Sequence, residues 1–215
     1  MAAWVEFLAD DAMEGRSARH AGGRRAARCI ARAFEDLGLE QVPGVRGWFQ
    51  DVGTGLSPNV LGLVRGRDPG FLVISAHYDH LPPLEEGRDR IFNGADDNAS
   101  GVAAVIELAG YFRRHARGGR RRGVSLLFAA FTGEELDLLG SEKFVTDPPV
   151  ALAEIRGDIN LDMISRGRRD LIFCEPGGSA DRLLEAVLRA NAALGELEVR
   201  VGDHPEWLEQ SDQES

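Results

Sequence analysis

The sequence predicts an α/β domain in which helices cover both faces of a mostly parallel or mixed sheet. Strand-like apolar runs alternate with helical patterns along the chain, as in proteins built on such sheets. The run from Phe71 to Ala76 is continuously apolar, which is typical of a strand buried on both faces. At 215 residues and 43% hydrophobic composition, the chain can bury one sizeable core, so we expect a single domain over residues 1–215.

The order of the elements follows from the local patterns. In residues 22–40 apolar side chains recur every three to four residues and Gly38 supplies a stop, which predicts an amphipathic helix. After it we predict strands at 59–66 and 71–79, a helix at 99–112, a strand at 123–131, a short helix at 138–145, strands at 155–165 and 170–174, a helix at 180–194 and a strand at 196–201.

Charge and composition exclude several classes of partner. The net charge is 25 − 35 = −10, which argues against binding of nucleic acid by the domain. The one basic run, residues 113–123, contains no interleaved aromatic residues, and we expect a solvated loop there. No apolar run approaches the roughly 20 residues of a membrane span, and the first residues do not resemble a signal peptide. We therefore expect no membrane partner. The chain as written carries no export signal and would be cytoplasmic, but the sequence does not fix its compartment.

The two cysteines, Cys29 and Cys174, are far apart and lack CxxC spacing. This pattern indicates neither a disulfide framework nor a thiolate metal site. We expect both to be buried as small apolar side chains.

Polar residues gather just after the predicted strands. Open α/β sheets bind their ligands at the carboxyl ends of strands, so these positions are candidates for a functional site. Four segments stand out, "AHYDH" (76–80), "NGADDNASG" (93–101), "FTGEELDLLGS" (131–141) and "NLDMIS" (160–165).

Each segment taken alone also has a purely structural interpretation. Residues 96–98 can cap the helix that begins near Ala99, and the carboxylates of residues 134–135 can favour a helix N-terminus. Asp162 can be a turn residue at a strand end, and a lone His77 is more often a core histidine than a ligand.

Taken together, the four segments indicate a metal site. Asp162 lies between apolar neighbours, where an unpaired carboxylate is costly to bury. The segments contain no Lys or Arg; Arg90, Lys143 and Arg166 lie only at their margins. A histidine with several carboxylates and no cysteine suits Zn²⁺, although Mn²⁺ or Co²⁺ could also bind. The carboxylates outnumber the needs of one ion, which points to two metals bridged by an Asp.

The four segments, in this order, resemble the co-catalytic zinc aminopeptidase family that includes bacterial leucyl aminopeptidases and glutamate carboxypeptidases. "LADDAMEGR" (8–16) and the helix from residue 22 are similar to the family's N-terminal region, so the resemblance covers nearly the whole chain. It implies a three-layer sandwich with a central mixed, mostly parallel sheet flanked by helices. It also implies removal of N-terminal residues from a peptide substrate, with two zinc ions as cofactors.

The resemblance implies a role for each metal-binding residue. His77 and Asp162 would bind the first zinc and Glu135 the second. Asp96 would bridge the two, and the peptide bond between Asp96 and Asp97 would be cis.

It also implies two catalytic roles. Glu134 would be the general base that takes a proton from the attacking water and passes it to the leaving amine. Asp79 would orient the imidazole of His77 through a hydrogen bond.

The sequence departs from the family at its end. The family's last ligand is a His in an "SDH" motif, whereas this chain has "SDQES" with Gln213 at that position, and His204 lies too early. The family's last strand and helix are missing as well. We therefore expect one well-formed zinc site, a weak or empty second site and impaired activity. Two alternatives remain, a catalytically silent binding relative and a single-zinc acyltransferase like the glutaminyl cyclases. The sequence does not indicate an oligomeric state.

Overall fold

The protein is an α/β fold built on a five-stranded mixed sheet. The computed structural model describes residues 1–117, 123–177, 181–195, 197–202 and 204. Its helices are α1 (Ala2–Leu8), α2 (Ala21–Leu37), α3 (Gly101–Arg117), α4 (Leu139–Thr146) and α5 (Asp181–Leu194). Its strands are β1 (Phe49–Gln50), β2 (Asn59–Val64), β3 (Phe71–His77), β4 (Ser125–Phe131), β5 (Ile155–Asn160), β6 (Leu171–Cys174) and β7 (Glu198–Val201).

The sheet has the strand order β1-β2-β4-β3-β5. Strands β3, β4 and β5 are parallel to one another, whereas β1 and β2 pair antiparallel with their neighbours. Strands β6 and β7 form a separate parallel pair. Parallel neighbours end at the same edge of a sheet, so the three segments that follow β3, β4 and β5 begin side by side.

The core lies on both faces of this sheet. Ile74 and Phe128 belong to one cluster, with residues of α2 and α3. Val73 and Leu127, one position away on the same strands, belong to a second cluster with Phe144 of α4. Successive side chains of a strand point to opposite faces, so helices cover the sheet on both sides. The fold class predicted from sequence is confirmed.

A β-bulge interrupts the pairing of β3 with β5. Phe71 lies opposite Ile155, but the next residue, Leu72, lies opposite Gly157, so Arg156 is an extra residue on β5. From that point the two strands pair without interruption to their carboxyl ends.

Beyond the bulge, polar residues of β5 lie on the same face as Ser75 of β3. The Ser75 hydroxyl donates to the carboxylate of Asp158, 2.8 Å from the nearer oxygen, and lies 3.2 Å from Oδ1 of Asn160. Burial raises the pKa of Asp158 to about 6, although the bond from Ser75 opposes the shift. This polar row leads along the sheet to His77 at the end of β3.

The structure differs from the sequence predictions in the basic run and at the two cysteines. Helix α3 continues to Arg117, so the start of the basic run is helical and not a loop; residues 118–122 lie outside the described part of the chain. The Arg113 guanidinium, at the start of the run, donates to the carbonyl of Gly38, so this part of α3 contacts the end of α2. Cys29 and Cys174 are unpaired, but both are partly exposed where full burial was expected. Among the described residues, no helix has the length and apolar character of a membrane span.

Candidate metal centre

The site lies where the three parallel strands end. β3 ends at His77, the residues 134–135 follow shortly after β4, and Asp162 follows β5 by two residues. The backbone N–H of Tyr78 donates to the carbonyl of Phe131 at 2.8 Å, so β3 and β4 stay together beyond the last paired residues. The sheet therefore brings three of the four predicted segments to one edge.

Asp97, from the fourth segment, lies between two histidines. Its Oδ1 is 3.2 Å from Nε2 of His77, and its Oδ2 is 3.5 Å from Nδ1 of His80. Each histidine also has a second carboxylate beside it. Oδ1 of Asp162 is 3.4 Å from Nε2 of His77, and Oε1 of Glu135 is 2.7 Å from Nδ1 of His80.

The predictions for Asp96 are wrong. The side chain between the histidines is Asp97, and the cis peptide bond joins Asp97 to Asn98. Residues 95–100 form a π-helical turn in which Asp97 and Asn98 leave helical geometry, with φ/ψ of −106°/98° and −129°/48°. This backbone aims Asp97 at the histidines and leaves Asp96 to accept from the N–H and hydroxyl of Ser165, at 2.9 and 2.6 Å.

The same turn holds the segment that follows β5. The Asn98 side chain donates to the carbonyl of Leu161 at 2.9 Å, and the Ser100 hydroxyl accepts from a backbone N–H of the same segment at 3.2 Å. Together with the contacts of Asp96, these bonds fix the backbone that carries Asp162. We infer that Asp96 positions a ligand and does not itself face the histidines.

Asp79 contacts both sides of the site. Nδ1 of His77 lies 3.2 Å from the backbone carbonyl of Asp79, and 3.9 Å from the carboxylate predicted to orient it. The carboxylate accepts instead from the N–H of Glu134 at 3.2 Å. When Nδ1–H donates to the carbonyl, the lone pair of Nε2 faces Asp97 and Asp162, which is the tautomer that binds a metal.

The charges of the site favour a cation. Burial lowers the pKa of His77, but hydrogen bonds to Asp162 and Asp97 outweigh it, and the net pKa is raised well above 6.5. Burial alone would raise the pKa of Asp97, but the bond to His77 and the nearby positive charges lower it. Burial raises the pKa of Asp79 to about 6. The site thus holds more carboxylates than positively charged side chains.

Sequence reasoning overlooked a buried positive charge beside the site, the guanidinium of Arg16. This fully buried guanidinium donates to the carbonyls of Leu8, Tyr78, Asn93 and Gly94 at 2.6–2.8 Å. Burial lowers its pKa to about 10, against the effect of neighbouring carboxylates, so it stays protonated at neutral pH. Its position within "LADDAMEGR" gave no hint of burial, because Arg is almost never fully buried unless paired.

Gly15 allows the segment that carries Arg16 to pack directly against the loops that contain Leu81 and Phe92. Its φ is +64°, and a Cβ at this position would lie 2.4 Å from the carbonyl oxygen of Leu81 and 2.8 Å from that of Phe92. Any other residue would collide with both loops, so the glycine is required for Arg16 to reach them.

The donor set fits zinc, and the family implied by the sequence binds this ion. Two groups of three side chains each offer one ligand atom, and within a group these atoms lie within 4.8 Å of one another. One buried oxygen beside them, Oδ2 of Asp79, has no hydrogen-bond partner among the described residues. Imidazole and carboxylate ligands suit Zn²⁺, and also Mn²⁺ or Co²⁺. The two groups are His77, Glu134 and Asp162, and His80, Asp97 and Glu135.

His204, which lies too early in the sequence to be the family's last ligand, is not part of this arrangement. His204 lies with its ring 5.1 Å from that of Phe173, and its N–H donates to Glu175. Among the described residues no group of potential metal ligands includes it. Gln213 lies outside the described residues, so the expectation of an impaired last ligand remains a prediction.

Binding of zinc should release a proton from His77. Because the pKa of this imidazole is raised, the ring holds its proton more tightly than a free imidazole does, and it must lose that proton to become a ligand. We expect the apparent zinc affinity to fall about tenfold per pH unit below that pKa. Calorimetry in buffers of different ionisation enthalpy measures the proton release, with the His115→Ala variant as a control. An affinity that does not change between pH 6 and 8 would contradict this assignment.

Comparison with known proteins identifies a family and several relatives. The profile of Peptidase family M28 matches residues 59–214. A probable zinc metalloprotease of Pyricularia oryzae is 33% identical over 167 residues, which cover 70% of this chain and 32% of that protein. Aminopeptidase YwaD of Bacillus subtilis is 30% identical over 114 residues, covering 50% of this chain and 22% of that protein. The chain thus spans a third or less of these curated relatives.

Solved structures share the fold. A leucine aminopeptidase precursor from Bacteroides thetaiotaomicron superimposes with a TM-score of 0.71 at 18% identity, over 99% of this chain and 79% of that one. A glutaminyl cyclase from Porphyromonas gingivalis superimposes with a TM-score of 0.71 at 23% identity, over 97% of this chain and 78% of that one. The fold is therefore found both in a protein named as a peptidase and in one named as a cyclase. The family is shown by the sequence match over residues 59–214: the chain belongs to Peptidase family M28.

Proposed function

We propose that the protein is a zinc-dependent aminopeptidase that hydrolyses the peptide bond after the N-terminal residue of its substrate. The observation that carries the proposal is the Asp97 carboxylate, which presents one oxygen to each of two imidazoles. A carboxylate placed in this way can bridge two metal ions. Curated relatives named as a zinc metalloprotease and an aminopeptidase support the choice of reaction.

The residues that would hold zinc are Asp97 and the His–carboxylate pair on either side of it. Nε2 of His77 lies beside Asp97 and Asp162, and Nδ1 of His80 lies beside Asp97 and Glu135. Zinc bound there supplies a Lewis acid that lowers the pKa of water and polarises the scissile carbonyl.

Glu134 is the proposed general base. Its backbone N–H is held by the Asp79 carboxylate, and its Oε2 lies 3.9 Å from Nδ1 of His77, at the edge of the same cluster. There it can accept a proton from the attacking water and return it to the leaving amine. Its side chain is 12% exposed, so it is reachable by a substrate from one side.

The charge of the site supports an exopeptidase. The cluster around Asp97 is rich in carboxylates, and the chain as a whole carries a net charge of −10. A negative cleft attracts the α-ammonium group of a free peptide N-terminus. Acetylation of the substrate removes that attraction, which provides a direct test.

The test is an assay of the 215-residue chain on a panel of aminoacyl anilides, with and without added Zn²⁺. We expect zinc-dependent release of the anilide from substrates with a free amine, and at least a tenfold slower release from their N-acetylated counterparts. Equal rates on both would contradict the exopeptidase assignment.

The same assay separates the alternatives. A cyclase would convert glutaminyl peptides to pyroglutamyl peptides with loss of ammonia and without release of a residue. A silent binding relative would bind zinc and turn over neither substrate. The fold shared with a glutaminyl cyclase does not favour the cyclase reaction over hydrolysis, since it is found in both.

A further inference from the structure

We propose that His80 is itself a metal ligand, so that the second metal is held by His80, Asp97 and Glu135. The inference rests on the proposed function in one respect, the presence of zinc at the site. The group consists of one imidazole and two carboxylates.

The first step is the direction of the ring. Nδ1 of His80 lies 2.7 Å from Oε1 of Glu135 and 3.5 Å from Oδ2 of Asp97, so two carboxylates converge on one nitrogen. A histidine that only donated a hydrogen bond would need one acceptor. The ring stands edge-on to Phe92, with centroids 6.5 Å apart, and its side chain is 12% exposed.

The second step is the match with His77. Each imidazole directs one nitrogen to one oxygen of the shared carboxylate of Asp97, and each has one further carboxylate beside that nitrogen. The two histidines are therefore alike in having two carboxylates beside one ring nitrogen, which is Nε2 in His77 and Nδ1 in His80. If His77 is a ligand of the first metal, the same geometry makes His80 a ligand of the second.

The third step is charge. Asp97 and Glu135 offer oxygens within 4.8 Å of each other and of the His80 nitrogen. Like charges this close repel, and a divalent cation among them removes the repulsion and accepts the lone pair of the neutral imidazole. One nitrogen and two oxygens leave positions open for water, as catalytic zinc sites do.

The consequence concerns the expected weakness of the second site. All three ligands lie within residues 80–135, so this site is complete without any contribution from position 213. The second metal should then be held by the described part of the chain alone.

The experiment compares metal binding by the unsubstituted 215-residue chain with that of His80→Ala and His80→Asn. Asn keeps a side chain that can donate to Glu135 but is a poor ligand beside imidazole. Equilibrium dialysis against Co²⁺ or Zn²⁺ gives the number of ions bound. In the Co²⁺ protein, hyperfine-shifted exchangeable proton signals report coordinated imidazole rings. His115→Ala, which removes an exposed histidine of α3, is the matched control.

We expect two ions for the unsubstituted chain and for His115→Ala. For both His80 variants we expect one ion, with loss of one shifted imidazole signal and at least about a 100-fold weaker second equivalent. Retention of the second ion and of both signals by His80→Asn would show that the ring only positions Glu135, and would overturn the inference.

An unsubstituted chain that binds one ion or none, with no change in the His80 variants, would overturn the inference as well. The proposed function is judged separately. It fails if the metal-loaded chain does not hydrolyse free-amine anilides, and it survives if hydrolysis persists while the His80 variants bind metal normally.

Discussion

Substitution of Glu134 by Gln is expected to lower kcat/KM on aminoacyl anilides by about 10²- to 10⁴-fold, the usual contribution of a general base. Gln has the same size and can still occupy the site, but it cannot accept the proton of the attacking water. The N–H of residue 134 would keep its bond to Asp79, so the backbone should not move. The measurement is steady-state kinetics together with the zinc content of each protein.

The zinc content distinguishes the two roles that geometry allows for Glu134. Its carboxylate belongs to a group with His77 and Asp162 that could also hold an ion. If Glu134 is a base, the variant should contain as much zinc as the unsubstituted protein. If Glu134 is a ligand, the variant should lose one equivalent of zinc. Glu142→Gln, at an exposed position of α4, should keep full activity. Loss of zinc in the Glu134 variant, or less than a tenfold loss of rate, would remove the base assignment.

Substitution of Arg16 by Met is expected to lower the free energy of unfolding by about 3–5 kcal/mol, the range found when one member of a buried charged interaction is removed. The guanidinium donates to carbonyls of Leu8, of Tyr78 and of residues 93–97, three segments that are distant in sequence. Met fills much of the volume but leaves these buried acceptors without donors, each at a cost of about 1–3 kcal/mol, partly offset by relief from burying a charge. Urea denaturation of the metal-free protein measures the change.

The matched control is Arg32→Met on α2. Its guanidinium is 67% exposed and pairs with Glu35 and Asp36, a kind of contact worth about 1 kcal/mol or less. We expect the midpoint of the Arg16 variant to fall well below that of the Arg32 variant. Equal losses for the two would mean that water or a local rearrangement satisfies the carbonyls, and Arg16 would then not hold the site together.

Much of the fold could be predicted because its strands and helices have clear hydrophobic patterns in the sequence. Continuous apolar runs such as residues 71–76 and periodic runs such as residues 22–40 each favour one kind of element. The short strand β1 was not predicted, because two residues carry no periodicity. Helix α1 was missed as well: of its seven residues only Leu8 is buried, so the apolar face is too small to define a pattern.

The site was predicted less completely, for two physical reasons. Strand ends are easy to locate in the sequence, and parallel strands end at the same edge of a sheet. This predicts the proximity of His77, Glu134, Glu135 and Asp162. Asp96 and Asp97 are neighbours with identical side chains, and only the backbone of an irregular turn decides which of them faces inward. Sequence spacing cannot choose between them.

The bulge at Arg156 sets which side of β5 faces the site. Side chains alternate along a strand, so an extra residue inverts the phase of everything that follows it. Without it, the side chains of Asp158 and Asn160 would lie on the face opposite to Ser75. The segment that carries Asp162 would then leave the strand with its side chains on the opposite faces. The orientation of Asp162 thus depends on the number of residues in β5 about six positions upstream. An insertion or deletion near residue 156 would change the orientation of Asp162 and so impair the site, although all of the site residues would still be present.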